Sequence, residues 1–403
     1  MNEQFKAVRV SEHVYWVGAV DWAVRDFHGY STDRGSSYNA YLVMADAVTL
    51  IDTVKAPFKN ELLSRIASVI DPRDIRYIVS NHSEMDHSGC LADIWDIVRP
   101  EKVFASVMGA KALLEHFHLD REIVPVKDGE SLSLGNVELR FIETRMLHWP
   151  DSMFTYLGED QLLFSQDAFG MHLASGERFA DEIDDGVLEY EAAKYYANIL
   201  LPYSPLVAKL LARVDSLGLT IETIGPDHGP IWRKDVQRIV DWYARWCVQK
   251  PTLKALVVYD TMWQSTAAMA RAIGEGLVES GASARLMPLA STHRSQVATE
   301  ILDAGALIVG TPTLNNNIFP TVADVLTYLK GLRPRNLIGA AFGSYGWSGD
   351  GVAQVRDALN QMKIEPIGED IKIKYVPDDE TLARCRSLGK LVAERLEEIC
   401  AHE

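Results

Sequence analysis

One short stretch of the chain, SNHSEMDHSG at positions 80–89, concentrates side chains that bind metal ions. It places two histidines and two acids within six positions, namely His82, Glu84, Asp86 and His87. The preceding run IRYIVSN predicts a strand, and a helix is expected from about Ser88. Because a loop that leaves a strand end can aim several side chains at one point, this spacing predicts a metal site.

Three further candidate ligands stand at similar predicted strand ends. They are His148 in TRMLHWPDS, Asp167 in LLFSQDAFG and His228 in IGPDHGP. Taken alone, each also fits an ordinary loop or capping residue. Together with the first cluster they provide four imidazoles and three carboxylates. This is too many donors for one ion and about right for two, with one carboxylate as the bridge.

This layout resembles the metallo-β-lactamase fold, whose signature is His-x-His-x-Asp-His followed by a later His, Asp and His. The chain departs from the signature at one position, because Glu84 stands where the second His belongs. Zinc hydrolases favour imidazole-rich sites, whereas a carboxylate is a harder donor that suits iron. Three carboxylates against two divalent ions leave one positive charge, which a bridging hydroxide cancels. The residues therefore favour a redox-active pair of iron ions with an oxo or hydroxo bridge.

Three loops in the second half of the chain predict an FMN site. TMWQST follows the predicted strand KALVVYD and precedes a helix, a position where backbone N–H groups and hydroxyls bind phosphate. No Walker-type lysine is present, which argues against a nucleoside triphosphate. GTPTLNNNIFP and GSYGWSGDG follow two later strands, at the edge where parallel sheets bind ligands. The loops resemble the FMN site of flavodoxin, although the phosphate loop lacks the glycine common there.

The predicted FMN contacts fall into these three loops. Thr261, Ser265 and Thr266 are the phosphate contacts, while amide and aromatic groups serve the flavin ring. An alternative for Trp263 and Trp347 is ordinary core packing. The full predicted set is Thr261, Met262, Trp263, Gln264, Ser265, Thr266, Pro312, Thr313, Leu314, Asn315, Asn316, Ser344, Tyr345, Gly346, Trp347 and Gly349.

The elements that must position these groups divide the chain in two. Up to about residue 250, short apolar strands alternate with polar helical stretches, which predicts an α+β fold, a metallo-β-lactamase-like αββα sandwich over residues 1–250. From Pro251, strand–helix alternation predicts an α/β fold, a flavodoxin-like doubly wound parallel sheet over residues 251–403. The segment DWYARWCVQKPT is the expected hinge.

Composition limits the possible partners and compartments. A formal net charge of −16 argues against nucleic acid as a partner, because phosphates would be repelled. No apolar run approaches the ~20 residues that span a bilayer, and the N-terminus lacks the apolar core of a secretion signal. Four scattered cysteines without a Cys-x-x-Cys pair exclude a rubredoxin-type or iron–sulfur site within these residues. A cytoplasmic protein without a membrane partner is expected.

The combination of both halves resembles the flavodiiron proteins, close to the rubredoxin:oxygen oxidoreductase type. The resemblance implies one iron held by His82, Glu84 and His148, the other by Asp86, His87 and His228, and Asp167 as the bridge. In some members the histidine equivalent to His87 is turned away from the metal. The resemblance also implies that His28 and Tyr195 lie near the open face of the iron pair and hydrogen-bond a bound intermediate.

The same resemblance implies a function. A flavodiiron oxidoreductase reduces O2 to water, NO to N2O, or both, with electrons relayed through FMN from a rubredoxin-type donor. The family pattern is a head-to-tail homodimer, with a dimer of dimers left open. The chain ends soon after the flavodoxin-like half, so a separate electron donor is expected. Two alternatives are a dinuclear zinc hydrolase with a fused flavodoxin domain, and a flavin electron carrier or sensor with a structural metal site.

Overall fold

The structure, a computed structural model, describes residues 5–402. The strands of the first half are Val8–Arg9 (β1), Val14–Trp16 (β2), Ala19–Asp21 (β3), Asp26–Phe27 (β4), Tyr30–Ser31 (β5), Ser36–Tyr38 (β6), Tyr41–Val43 (β7), Thr49–Ile51 (β8), Tyr77–Ser80 (β9), Lys102–Ser106 (β10), Val124–Val126 (β11), Ser131–Ser133 (β12), Glu138–Glu143 (β13), Met153–Leu157 (β14), Leu162–Gln166 (β15) and Thr223–Pro226 (β16). Those of the second half are Lys254–Tyr259 (β17), Ser283–Pro288 (β18), Ala306–Leu314 (β19), Asn317–Ile318 (β20), Ile338–Tyr345 (β21), Glu365–Pro366 (β22) and Ile371–Lys374 (β23).

The α-helices connect these strands. They are Lys59–Ala67 (α1), Met85–Ser88 (α2), Leu91–Val98 (α3), Val107–Phe117 (α4), Asp185–Tyr195 (α5), Ser204–Ser216 (α6), Val236–Val248 (α7), Ser265–Glu279 (α8), Arg294–Glu300 (α9), Pro320–Leu332 (α10), Asp350–Gln361 (α11) and Asp379–His402 (α12). A π-helical turn, Tyr196–Leu200, continues directly from α5.

The chain forms two compact units. The first comprises the described residues up to Tyr195 together with Pro205–Ala244. The second comprises Tyr196–Ser204 and the described residues from Arg245 onward. The predicted boundaries, 1–250 and 251–403, include residues 1–4 and 403, which lie outside the described residues, and this division stays a prediction. The expected hinge is helical through Val248, where α7 ends.

The first unit contains two packed sheets. One has the strand order β1-β2-β7-β8-β9-β10-β11 and the other the order β12-β13-β14-β15-β16. Side chains alternate across β7: Tyr41 and Val43 join the core between the sheets with Phe164, whereas Leu42 packs on the helical side with Ile66. This alternation produces the layered αββα sandwich predicted from the sequence.

The second unit contains a parallel sheet in the order β18-β17-β19-β21-β22, with β23 also paired to β21. In chain order this is second, first, third, fourth and fifth, the flavodoxin-like arrangement. Ala255 and Val257 of β17 share a buried cluster with Leu277 of α8 and Val392 of α12. The strand order reverses between β17 and β19, so a ligand is expected at the carboxyl ends of these two strands.

One local expectation was wrong. The helix expected from about Ser88 begins at Met85, so Asp86 and His87 lie on a helical turn rather than in a loop. Glu84 precedes this turn in an extended conformation. Among the described residues, every helix is too short or too polar to traverse a lipid bilayer.

Candidate metal centre and flavin site

Strand topology brings the candidate ligands of the first unit to one edge. The cluster from His82 to His87 follows the end of β9. Asp167 directly follows β15 and His228 comes two residues after β16, and these two strands are parallel. His148 precedes β14, which runs antiparallel to β15, so the start of β14 lies beside the end of β15. Residues far apart in sequence therefore converge.

The converged side chains form two ligand sets around Asp167. The first set is His82, Glu84 and His148, and the second is Asp86, His87 and His228. Asp167 Oδ2 lies 2.9 Å from His148 Nε2 and 3.2 Å from His82 Nε2. Its other oxygen, Oδ1, lies 3.2 Å from His87 Nε2 and 3.5 Å from His228 Nε2. One carboxylate thus faces both sets, one oxygen to each.

Distances within each set fit a shared metal ion. Glu84 Oε2 is 3.2 Å from His148 Nε2, and Asp86 Oδ2 is 3.2 Å from His228 Nε2. Two donors about 2.1 Å from one ion, at angles between a right angle and the tetrahedral angle, lie about 3.0–3.4 Å apart. Both carboxylate oxygens of Asp86 and of Asp167 are buried without a hydrogen-bond partner. Such atoms are costly unless they bind an ion, so the residues fit a pair of metal ions.

The charge states of the cluster agree with this fit. Burial alone would raise the pKa of Asp167, but the neighbouring imidazoles, His87 first, outweigh it and hold that pKa well below its ordinary value. Burial lowers the pKa of His87, yet Asp86 and Asp167 raise it to about 9. The pKa values of His82, His87 and His148 are all raised, so without ions these imidazoles hold protons beside ionised carboxylates. Metal ions would replace these protons, as they do in metal sites generally.

Three groups that sequence reasoning missed lie beside the outer ring nitrogens of the imidazoles. Asp151 Oδ2 lies 3.0 Å from His82 Nδ1, and Asp227 Oδ2 lies 3.5 Å from His87 Nδ1. His228 Nδ1 lies 2.6 Å from the carbonyl oxygen of Ser37 and donates to it. An acid three residues after His148 and another directly before His228 were the available signals. The partners of His82 and His228 occupy the outer ring nitrogen, which leaves Nε2 directed at the ligand cluster, whereas Asp227 faces His87 Nδ1 without a hydrogen bond.

Both predicted residues of the open face lie at the metal cluster. His28 Nε2 is 3.3 Å from Glu84 Oε1, and the His28 side chain is 72% exposed. Tyr195 is buried, and burial followed by the charge of Asp167 raises the pKa of its phenol well above the ordinary value. Its hydroxyl therefore keeps its proton. His172 is also buried here, and its ring lies 4.5 Å from that of His228.

The second unit contains a cavity of about 510 Å³ where the sequence predicts the flavin. Its walls come from the loops that follow β17, β19 and β21, at the predicted edge of the sheet. Trp263 and Trp347 are 89% and 85% exposed, so the alternative of core packing is wrong for both. Two exposed aromatic rings beside an apolar cavity provide surfaces on which a planar ring system can stack.

The first turn of α8 fits the phosphate. Gln264 precedes the helix with a φ of 67° and provides no side-chain cap. The first N–H groups of the helix are thus available to an anion. Thr266 is fully buried, with Oγ1 3.4 Å from Ser344 Oγ. The buried hydroxyls of Thr261 and Thr313 have no hydrogen-bond partner.

Most of the predicted flavin contacts line this cavity. The lining includes Met262, Trp263, Ser265, Pro312, Thr313, Leu314, Asn315, Asn316, Ser344, Tyr345, Gly346 and Trp347. Four predicted residues lie outside the lining, namely Thr261, Gln264, Thr266 and Gly349. Sequence reasoning missed Ser348, Tyr375 and Val376, which also line it. The last two follow β23, a strand too polar to stand out in the sequence.

Family models match both units. Residues 37–229 match the family described as "ODP family beta lactamase", and residues 257–389 match flavodoxin. A nitric oxide reductase from Moorella thermoacetica is 47% identical over 96% of this chain and 98% of its own length.

Two solved structures resemble the whole chain. The rubredoxin oxygen:oxidoreductase from Desulfovibrio gigas has a TM-score of 0.97 at 44% identity, covering 98% of this chain and 100% of that one. The flavodiiron protein from Giardia intestinalis has a TM-score of 0.95 at 35% identity, covering 98% of each chain. The chain therefore belongs to the flavodiiron protein family. Membership confirms the predicted fold, the oxidoreductase class and the cofactors, FMN and a pair of iron ions. The zinc-hydrolase and electron-carrier alternatives are not favoured.

Proposed function

We propose that this protein reduces O2 to water, NO to N2O, or both, at a pair of iron ions, with electrons that pass through FMN. His82, Glu84 and His148 would hold one iron, and the second ligand set would hold the other. Asp167 would bridge them. The proposal agrees with the printed functions of the relatives, a nitric oxide reductase and an oxygen oxidoreductase.

The observation that carries this proposal is the position of Asp167. Each of its two oxygens faces a separate ligand set, and both are buried without hydrogen-bond partners. Glu84 adds a second carboxylate to the first set, which favours iron over the imidazole-rich coordination of zinc hydrolases. A buried dinuclear site rich in carboxylates suits ions that change charge during turnover.

When bound, the iron pair supplies two electrons and reduced FMN two more, which matches the four needed to convert O2 to two waters. The residues of the chain do the rest. Tyr195 keeps its proton, and its hydroxyl would donate a hydrogen bond to a bound gas. His28 stands at the exposed side, next to Glu84, where a small gas enters from solvent. The ring of Phe27, the residue before His28, lies 4.8 Å from that of His172 and 6.3 Å from that of His228.

The proposed partners follow the family pattern. We propose a rubredoxin-type electron donor, because a relative is named for oxidising rubredoxin. We also propose a head-to-tail homodimer, the commonest class of symmetric assembly, in which the FMN of one subunit serves the iron site of the other. We also propose a reducing, cytoplasmic location, which the thiols of Cys90, Cys385 and Cys400 support.

Gas consumption by the fully reduced protein tests this function. Protein loaded with iron and FMN is compared on one electrode with O2 and with NO, while peroxide and N2O are assayed. Rapid O2 loss without peroxide establishes a four-electron oxygen reductase, whereas faster NO loss with N2O formed establishes an NO reductase. If protein with full iron and FMN content consumes neither gas, the proposed function is wrong.

A further inference from the structure

His28 stands at the tip of a two-residue hairpin. The strands β4 and β5 pair with Asp26 opposite Ser31 and Phe27 opposite Tyr30. The two residues at the turn, His28 and Gly29, have φ values of 55° and 81°. Turns with positive φ at both central positions suit tight hairpins, but a histidine adopts this conformation only when its surroundings hold it there.

The inner face of this hairpin packs on the metal unit through aromatic rings. The ring of Phe27 lies 4.8 Å and that of Tyr30 5.3 Å from the ring of His172. His172 in turn contacts His228, a predicted iron ligand. Displacement of the hairpin would therefore move His28 away from Glu84.

Charged side chains of helix α5 hold the segment that follows the hairpin. Lys194 is fully buried, and its Nζ lies 2.8 Å from Asp33 Oδ2. One turn earlier on the same face, the buried Glu191 forms an ion pair with Arg34, Oε1 to Nε 3.4 Å. The adjacent residues Asp33 and Arg34 thus pair with two oppositely charged residues that lie one turn apart on the same helix. The Lys194 ammonium also lies 5.5 Å from the centre of the Tyr30 ring.

The next residue of α5 is Tyr195, the second candidate of the open face. The helix that presents Tyr195 to Asp167 is therefore the helix that binds the His28 segment. Each ion pair joins a buried charge on α5 to a partner that is more than half exposed, Asp33 at 62% and Arg34 at 55%. Such pairs contribute little net stability, but together they fix one relative position of the two elements that carry the charges.

We propose that Lys194 and Asp33, with Glu191 and Arg34, are positioning residues that fix the His28 hairpin relative to Tyr195. The proposal rests on the proposed function for its effect on turnover, although its effect on the hairpin does not. His28 and Tyr195 would then face a bound gas from two sides only while these two ion pairs are intact. Neither Lys194 nor Asp33 would touch the gas or the iron ions.

Hydrogen exchange of the loaded protein tests the positional claim. Lys194→Met keeps most of the buried volume and removes the charge. We expect the amides of residues 26–32 to exchange about tenfold faster or more, because local opening becomes easier. The amide of Thr32, which donates to the carbonyl oxygen of Arg25 at 3.0 Å, is the best single probe. The control is Lys59→Met, which removes a surface pair with Asp93 and leaves the hairpin untouched.

Turnover separates positioning from general stability. Lys194→Met should lower kcat about 10-fold to 100-fold at unchanged iron and FMN content. In a His28→Ala background the same substitution should have almost no further effect. Equal loss in both backgrounds would mean that Lys194 acts elsewhere and would overturn the proposal.

A second variant keeps the test decisive. If Lys194→Met fails to fold, Asp33→Asn removes the same pair from its exposed side, and wild-type exchange rates in its hairpin would overturn the proposal. Wild-type rates in Lys194→Met would do the same. If the wild-type protein consumes neither gas, only the proposed function fails, because the exchange rates are measured without turnover.

Discussion

Asp151 and His82 form a buried carboxylate–imidazole pair, with Oδ2 of the acid 3.0 Å from Nδ1 of the ring. The same oxygen accepts the backbone N–H of Ser83 at 2.6 Å. With Nδ1 engaged, the Nε2 atom of His82 is directed at Asp167 and Glu84. Asp151 therefore selects the ring nitrogen that His82 offers to a metal ion.

We predict that Asp151→Asn weakens iron binding without removing FMN. The amide keeps the shape of the side chain but loses the charge that orients His82 and raises its basicity. Loss of such a partner typically weakens metal affinity about 10-fold to 100-fold. Competition with a chelator, followed by iron analysis, measures the change.

The matched control is a second Asp–His pair in the same unit. Asp160 Oδ1 lies 2.6 Å from His13 Nδ1, and neither residue belongs to the two ligand sets. Asp160→Asn should leave the iron affinity unchanged. Equal iron affinities in the wild type and in Asp151→Asn would refute the orienting role of Asp151.

A second prediction concerns the bridge itself. Asp167→Asn removes the one carboxylate that faces both ligand sets while conserving its volume. We expect iron affinity to fall by more than about 100-fold, the upper limit for groups that only hydrogen-bond to a metal ligand. Gas reduction should be lost, while FMN stays bound. Elemental analysis and the flavin absorption spectrum report the two cofactors separately. A variant that keeps both irons and the original turnover would show that Asp167 does not bridge.

The sequence could indicate the candidate ligands because they come from a compact motif and from predicted strand ends. The close spacing marks four of them as candidate ligands, namely His82, Glu84, Asp86 and His87, and the sheet topology then determines where they meet. The sequence could not predict the groups that lie behind these residues. Asp151 is one acid among many, and it meets His82 only in the folded chain, where the Met153 N–H donates to the Asn81 carbonyl oxygen at 3.1 Å.

The same limit applies to the flavin site. Loops that follow apolar parallel strands are visible in the sequence, so the residues after β17, β19 and β21 could be predicted as flavin contacts. Tyr375 and Val376 were missed because the preceding strand, β23, alternates lysine with isoleucine and lies at the edge of the sheet. Lys194 was missed for another reason: nothing in a lysine on a polar helix indicates that it is fully buried.

A third prediction concerns pH and the His13–Asp160 pair. The hydrogen bond with Asp160 raises the pKa of His13 above its ordinary value of 6.5, despite partial burial. The pair therefore stabilises the fold fully below that ordinary value. Its contribution is lost as the pH rises through the raised pKa of the folded state.

The thermal midpoint of unfolding measures this effect. Wild type and His13→Gln are compared from about pH 5 to about pH 8, the range in which histidine titrates. We expect the wild type to unfold at a higher temperature than His13→Gln at about pH 5, and this difference should shrink as the pH rises. A difference that grows with pH would contradict the assigned direction of the shift.

A fourth prediction separates the two cofactor sites. Ser265 and Thr266 begin helix α8, whose first N–H groups lack a side-chain cap. Replacing both residues by Ala removes two hydroxyls from the predicted phosphate contacts. A hydrogen bond to a charged group contributes about 1.5–3 kcal/mol, so two contribute about 3–6 kcal/mol, and we expect FMN affinity to fall about 100-fold or more.

Fluorescence titration of the flavin-free protein measures this affinity, and iron analysis accompanies it. The control is Thr299→Ala, which removes a hydroxyl that donates to the Ser295 carbonyl oxygen in helix α9 of the same unit. That variant should bind FMN like the wild type. Because the iron ligands belong to the other unit, the double variant should keep its full iron content. Loss of iron with retention of FMN would mean that the residues around Ser265 serve the metal unit rather than the flavin.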